Sequence, residues 1–294
     1  MSTTHSSETP ASETPASEAL VALTIAGSDP SGGAGIQADL KTFHQHRVYG
    51  AAVISLITVQ NTLGLQMVQP LEADAVVAQI DAVISDLPPA AGKVGALGTA
   101  AIVEAVAARA LEFKFPLVVD PIFDATDGRV LLEPEARQIL KDRLLPVATL
   151  ATPNIEEAAF LSGRSTSSVG AMKDAAKAIA DIGVASVLVT GGGGPGEAVD
   201  VLYTAEEFHT FRSKRVSGGP FHGTGCTLSA AITAHLARGI YLVDAVRCAK
   251  DFLSAAIDSM PGLGSGSSPL NHHAVAGIEP TAVEEVRSTG TEGR

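Results

Sequence analysis

Residues 21–26, Val21-Ala22-Leu23-Thr24-Ile25-Ala26, form an apolar run that passes directly into Gly27-Ser28-Asp29-Pro30-Ser31-Gly32-Gly33-Ala34-Gly35-Ile36-Gln37-Ala38-Asp39. A short apolar run closed by glycine, serine and proline reads as a buried strand. The stretch that follows, 37–46, has helical period. This strand, turn and helix unit repeats outward along the chain. Apolar runs at 51–58, 93–97, 116–120, 148–152 and 184–190 alternate with helical stretches at 72–85, 99–113, 133–143, 155–162 and 169–182. Such alternation predicts βαβ units: an α/β fold with a mostly parallel central sheet and helices on both faces. Two strand-like runs at 198–203 and 207–212, joined by a tight turn, precede apolar helices at 224–238 and 242–260. No linker interrupts the series, so a single domain is expected.

The ends of the chain read differently. Ser7-Glu8-Thr9-Pro10-Ala11 recurs as Ser12-Glu13-Thr14-Pro15-Ala16, too polar to bury anything, so residues 1–18 are expected to be a disordered tail. Neither a basic start nor an apolar stretch marks a signal or transit peptide there. A second composition shift begins at Pro261, and 274–294 reads as a flexible tail, leaving a folded body of 19–273. Of the 294 residues 46% are apolar, enough for a sizeable core, and the net charge of -12 argues against nucleic acid and against anionic membrane as partners. Apolar runs fall short of the roughly 20 residues a spanning helix needs. Two cysteines, Cys226 and Cys248, exclude a disulfide scaffold and fit a reducing, cytoplasmic setting. Whether copies of the chain associate into a homo-oligomer is left open.

In open parallel sheets ligands bind beyond the carboxyl ends of the strands. After the first strand, Gly33-x-Gly35-x-x-Ala38 fits a loose dinucleotide fingerprint. That pattern expects an acidic residue at the end of the second strand, where this chain has Thr58-Val59-Gln60-Asn61. A glycine turn serving only tight packing is the plainer alternative. The more informative segment is His222-Gly223-Thr224-Gly225-Cys226-Thr227-Leu228-Ser229-Ala230-Ala231, a glycine turn running into a helix of small residues. Free N–H groups and the helix dipole at such an end attract phosphate or an oxyanion. The same end favours a thiolate and so predicts a depressed pKa at Cys226. A buried, inert thiol is the alternative.

Together, residues 25–43 and 222–231 closely resemble the hydroxymethylpyrimidine and phosphomethylpyrimidine kinases of thiamine biosynthesis, of the ribokinase-like superfamily. The resemblance takes in Gln60-Asn61-Thr62, Asp120-Pro121, Thr152-Pro153-Asn154 and Pro269-Leu270-Asn271-His272. It implies a small-molecule kinase that uses ATP and magnesium to phosphorylate an aminopyrimidine alcohol and then its monophosphate. By motif, Ala34, Asp39 and Gln60 correspond to pyrimidine contacts. Gly223, Thr224 and Gly225 correspond to the anion hole, and Cys226 stands where sugar-kinase relatives have an aspartate base. The resemblance puts magnesium, held through water, at Asn154-x-x-Glu157 with Asp120 nearby, and the nucleotide at Asn154, Thr190 and Gly192.

The chain also departs from that pattern. Lys93-Val94-Gly95-Ala96 lacks the usual methionine, which implies a wider pyrimidine pocket. Phe123-Asp124-Ala125-Thr126-Asp127 brings two carboxylates near the expected phosphate path. Thr190-Gly191-Gly192-Gly193-Gly194 replaces a lysine- and histidine-bearing stretch. Lys93 and His222 are then candidate cations for the acceptor phosphate. Two rivals stand beside the pyrimidine kinase: a pyridoxal or pyridoxine kinase of the same superfamily, and a catalytically silent pyrimidine-binding protein.

Overall fold

The computed structural model describes residues 19–191, 197–214 and 221–279. The expected N-terminal tail, 1–18, and Gly192 lie outside them. One sheet of nine strands is built from β1 (Val21–Ser28), β2 (Tyr49–Asn61), β3 (Gly64–Pro70), β4 (Ala91–Val94), β5 (Leu117–Val119), β6 (Leu150–Ala151), β7 (Ser186–Val189), β8 (Ala198–Thr204) and β9 (Glu207–Ser213). Their order is β3-β2-β1-β4-β5-β6-β7-β8-β9. The six central strands, β2, β1, β4, β5, β6 and β7, are parallel, while at one edge β3 pairs antiparallel with β2, and at the other β8 pairs antiparallel with β7 and β9 antiparallel with β8.

Side chains alternate across the strands and so divide two cores. Leu117 and Val119 of β5 join one core and Val118 the other; Val187 and Val189 of β7 are separated from Leu188 in the same way. The first core takes its helical half from α2 (Ala73–Asp86), α3 (Ala100–Ala110), α4 (Pro134–Ile139), α5 (Ile155–Ser162) and α6 (Val169–Ala180). The second is closed by α7 (Thr224–Ala237) and α8 (Leu242–Asp258), with α1 (Gly35–Gln45) packed beside α7 through Phe43, Ala230 and Ala234. Strands buried on both faces read as continuous apolar runs, which is why the sequence marks them clearly.

Three features differ from the sequence reading. Residues 64–70 form β3, which has no apolar period because only Leu65 is buried; its order comes from pairing with β2. The helix expected over 133–143 ends at Ile139 and passes into a wider π turn, Leu140–Leu144. The tail does not begin at 274. Ala274 and Ile278 are buried in the second core, Gln45 donates to the Ala274 carbonyl at 2.8 Å, and His235 donates to that of Gly277 at 2.9 Å. Composition hides this strap because its backbone carbonyls carry most of the docking. Among the described residues no helix is long and apolar enough to cross a membrane.

The buried imidazoles give the fold a pH signature. Burial pushes His46 down to about 4 against its bond to the Thr42 carbonyl, and pushes His272 down to about 4 with Lys41 and His273 nearby. An unfolded imidazole titrates at about 6.5, so the unfolded chain binds these protons first. The stability they contribute is complete above pH 6.5 and is lost as pH falls toward 4, by up to ~3 kcal/mol per imidazole. Denaturant unfolding between pH 7 and 4 should therefore show a steep loss of stability. His272→Gln, which keeps a partner for the Thr227 hydroxyl, should flatten it; an unchanged slope in that variant would remove His272 from the account.

Candidate active site

A cleft of about 1350 Å³ opens at the carboxyl ends of the parallel strands. Gln60 and Ala34 line one end, Asp120, Glu157 and Gly223 to Cys226 the middle, and Thr190 and Asp200 the other.

The glycine-rich loop between β1 and α1 is organised by Asp29, which is 1% exposed. Its carboxylate accepts from the Ser31 N–H and hydroxyl, from the N–H groups of Gly33 and Ala34, and from His222 Nε2 at 2.8 Å. Burial opposes ionisation, but the bonds from His222, Ser31 and Ala34 outweigh it and hold the carboxyl below its ordinary value. The same contact ties this loop to the start of α7. There Gly223 has φ +84°, and a Cβ on it would meet the Gly33 carbonyl oxygen at 1.9 Å, so the two glycine loops lie backbone against backbone. With its Nε2 committed to Asp29, His222 joins the loops rather than standing as an unengaged phosphate cation. Asp29 was not among the sequence candidates, although Asp-Pro-Ser-Gly is a turn signal in which an aspartate bonds its own backbone.

Gly223 caps α7, and Thr224, Gly225 and Cys226 form its first turn. The N-terminus faces the cleft as expected, but the thiol does not behave as the dipole argument predicts. Burial pushes Cys226 up to about 12; Lys93 pulls against this, and Asp39 and Asp120 reinforce it. The resting thiol is therefore neutral: loss of water around it outweighs the helix end.

Asp39 corrects a second expectation. It lies on the buried face of α1, does not line the cleft, and has both oxygens engaged, one by Lys93 Nζ at 2.6 Å and one by the Thr24 hydroxyl at 2.7 Å. Lys93 is equally buried and reaches the Cys226 carbonyl at 3.4 Å, so it supports α7 from below instead of meeting an acceptor phosphate. Burial alone would favour a neutral amine, but the Asp39 carboxylate outweighs it and keeps the ammonium.

Asp120 accepts from the hydroxyls of Thr152 and Ser229, each at 3.1 Å. Glu157 accepts from the N–H groups of Asn154 at 2.9 Å and Phe123 at 3.3 Å, and Asn154 Oδ1 accepts from Glu156 and Glu157 in return, a capping box. Burial and the charge of Asp120 push Glu157 up to about 8. Two nearly buried carboxylates lining one cleft fit a divalent cation whose remaining ligands are water, as magnesium prefers. Among the described residues there is no group of three His, Cys, Asp or Glu that would cage a metal outright.

At the end of the cleft opposite Gln60, Thr190 lines it, and its N–H bonds the Pro153 carbonyl. Asp200 and Lys250, both buried, form an ion pair there, and Asp200 also accepts the Gly191 N–H at 2.9 Å. Neither was singled out from sequence, yet a lone charge inside the apolar strand Ala198-Val199-Asp200-Val201-Leu202 was a readable signal. The carboxylate of Asp124 is paired with Arg137 at 2.9 Å, whose guanidinium sits 4.8 Å above the Phe123 ring. Ala96 lines the cleft where the departure was noted.

The fold and cleft define a ribokinase-like α/β kinase, and comparison with known proteins narrows the class. The phosphomethylpyrimidine kinase family model matches residues 29–271. The hydroxymethylpyrimidine/phosphomethylpyrimidine kinase of Rhizobium meliloti (strain 1021) is 46% identical over 256 residues, 86% of this chain and 96% of that protein. Its counterpart in Synechococcus elongatus is 41% identical over 254 residues, 86% of this chain and 97% of that one. Among solved structures, an ADP complex of Bacillus subtilis pyridoxal kinase matches with a TM-score of 0.82 at 40% identity, covering 88% of this chain and 99% of its own. This chain belongs to the phosphomethylpyrimidine kinase family.

Lys93→Met strands the Asp39 carboxylate without its counter-ion and should cost about 3–5 kcal/mol. Adding Asp39→Leu removes the stranded charge and should recover most of that loss. Urea unfolding of both variants is the check; a double variant no more stable than the single one would mean that the pair matters for shape and not for charge.

Proposed function

We propose that the protein is a cytoplasmic, ATP-dependent kinase that phosphorylates 4-amino-5-hydroxymethyl-2-methylpyrimidine and then its monophosphate, giving the diphosphate used in thiamine diphosphate biosynthesis. The observation that carries this reading is one cleft with an amide-rich helix end at its centre, two buried carboxylates beside that end and an amide side chain, Gln60, at the acceptor end. Family membership supplies the acceptor class.

In the first reaction the acceptor hydroxyl oxygen bonds the γ-phosphorus of ATP, the bond from that phosphorus to ADP breaks, and the hydroxyl proton leaves. Asp120 and Glu157 would hold magnesium through water, and the ion would supply charge neutralisation at the phosphates. The N–H groups of Gly223, Thr224 and Gly225 hold the transferring group in line, and positioning of this kind is most of what phosphoryl transfer requires. Cys226, buried at the same helix end, is the base in its thiolate form, and taking the hydroxyl proton returns it to the neutral thiol. Burial makes that thiolate a minor form at rest but a strong base once formed, and a loose transition state from which the proton leaves late demands little of it. In the second reaction the acceptor is a phosphate monoester with a second pKa of about 6, already ionised at neutral pH. Gln60 and the Ala34 region bind the ring, while Asn154 and Thr190 border the nucleotide.

Replacing Cys226 should separate the two steps. Cys226→Ala retains the backbone anion hole and is expected to slow the alcohol by about a hundredfold or more, and the monophosphate less. Steady-state rates on both acceptors at saturating ATP and magnesium give the comparison, and equal losses would assign the thiol to packing. Gln60→Leu should weaken ring binding by about 1–3 kcal/mol. Titration with the alcohol would retire Gln60 from the site if affinity were unchanged in a folded variant. The likeness to a pyridoxal kinase supports a second reading, with pyridoxal or pyridoxine as acceptor. ATP consumption across a panel of pyrimidine and pyridine alcohols decides between them.

A further inference from the structure

Of the two carboxylates that the 123–127 loop introduces, Asp124 is neutralised by Arg137, but Asp127 turns the other way, toward the β2–β3 hairpin. Its Oδ2 accepts the N–H of Leu65 at 2.9 Å, and its Oδ1 accepts that of Arg129 at 3.2 Å. Leu65 is the residue opposite Gln60 in the β2–β3 ladder, at the point where an extra residue shifts the register. The hairpin comes close to the carboxylate: Gly64 has φ +143°, and a Cβ there would lie 2.9 Å from Oδ2.

The other end of the loop is anchored at the carboxylate cluster. Phe123 gives its N–H to Glu157, and its backbone carbonyl accepts from both Leu131 and Leu132, closing the loop on itself. The loop tip is held by the Ala125 N–H on the Arg129 carbonyl at 2.7 Å and the Gly128 N–H on that of Ala125 at 2.8 Å. The hairpin tip has a separate tie, from the Ser267 N–H to the Thr62 carbonyl. Asp127 is thus the side chain that joins the strand pair carrying Gln60 to the loop bonded to Glu157.

We propose that Asp127 is a positioning residue that sets the reach of Gln60 into the cleft by fixing the Leu65 backbone, and so governs affinity for the acceptor. The inference rests on the reading of Gln60 as a ring contact. The bonds from Leu65 and Arg129 also hold the Asp127 carboxyl below its ordinary value against burial, so the tie is an ionised one at neutral pH.

Asp127→Ala, Asp127→Asn, Gln60→Leu and the Asp127→Ala/Gln60→Leu double variant test it, each assayed for acceptor KM, ATP KM, kcat and thermal unfolding. Asp127→Ala is expected to raise acceptor KM about five- to tenfold, the scale of one hydrogen bond, with ATP KM and the unfolding midpoint unchanged. Asp127→Asn retains an oxygen for the Leu65 N–H and should stay within about twofold of the parent. In the Gln60→Leu background, loss of Asp127 should add nothing further, the mark of two residues acting as one unit. An acceptor KM unmoved by Asp127→Ala, an asparagine variant as impaired as alanine, or a full additive effect in the double variant would overturn the proposal. If Gln60→Leu raises acceptor KM and Asp127→Ala does not, the positioning role alone fails. If Gln60→Leu itself has no effect, the ring-contact reading fails and the positioning role with it.

Discussion

The ammonium of Lys93 and the carboxylate of Asp39 meet at 2.6 Å with neither side chain exposed to solvent. Taking both ions out of water costs several kcal/mol each, and only close geometry with further hydrogen bonds offsets that penalty. Here Thr24 donates to the second carboxylate oxygen, and the Cys226 carbonyl accepts from the ammonium. The pair therefore links β1, α1 and β4 to the first turn of α7. A helix end whose first turn lines the cleft is poorly fixed by a sliding apolar surface alone. A charge pair with few allowed geometries specifies its height and direction.

Above this pair, Asp29 works by a different principle. One carboxylate collects donors from Ser31, Gly33, Ala34 and His222, so the loop after β1 and the loop before α7 share a single acceptor. This accounts for the glycines that imitate a dinucleotide fingerprint. Gly33 leaves room for the His222 ring, whose Cδ2 would lie 2.4 Å from an added Cβ, and a Cβ on Gly35 would meet the Gly27 carbonyl oxygen at 2.2 Å. The glycines allow backbone to approach backbone and ring. The second strand, whose end would hold an acidic ribose contact in a dinucleotide fold, instead runs into the antiparallel hairpin with β3.

The cleft that results is acidic for one that handles phosphates. Asp120 and Glu157 line it; of the cations around it Lys93 lies beneath the floor, Arg137 and Lys250 are paired, and Lys214 borders the opening. Backbone N–H groups at the start of α7 are the donors the cleft offers an anion, and the carboxylates suit a divalent cation. Burial sets the protonation of the groups between them: it holds the Cys226 thiol neutral and raises Glu157 with the help of Asp120.

The alternation of strand and helix, the parallel core and the two glycine segments of the site were legible in the sequence because each depends on short-range periodicity or on residues a few positions apart. Asp39 was read as a ring contact, whereas Ile36, Asp39 and Phe43 share the buried face of α1, a spacing that already argued for an inward carboxylate. Its partner could not be read, because Lys93 lies on another strand 54 residues away. The same distance in sequence hid the Asp200 and Lys250 pair, the strap at 274–279 and the tie from Asp127 to Leu65. Local composition determined which residues form strands, turns and helices and which carry chemistry. Only packing decided which charges meet, since a buried ion must find its partner in space, and whether a thiol at a helix end ionises, since that depends on how much water the surrounding elements leave around it.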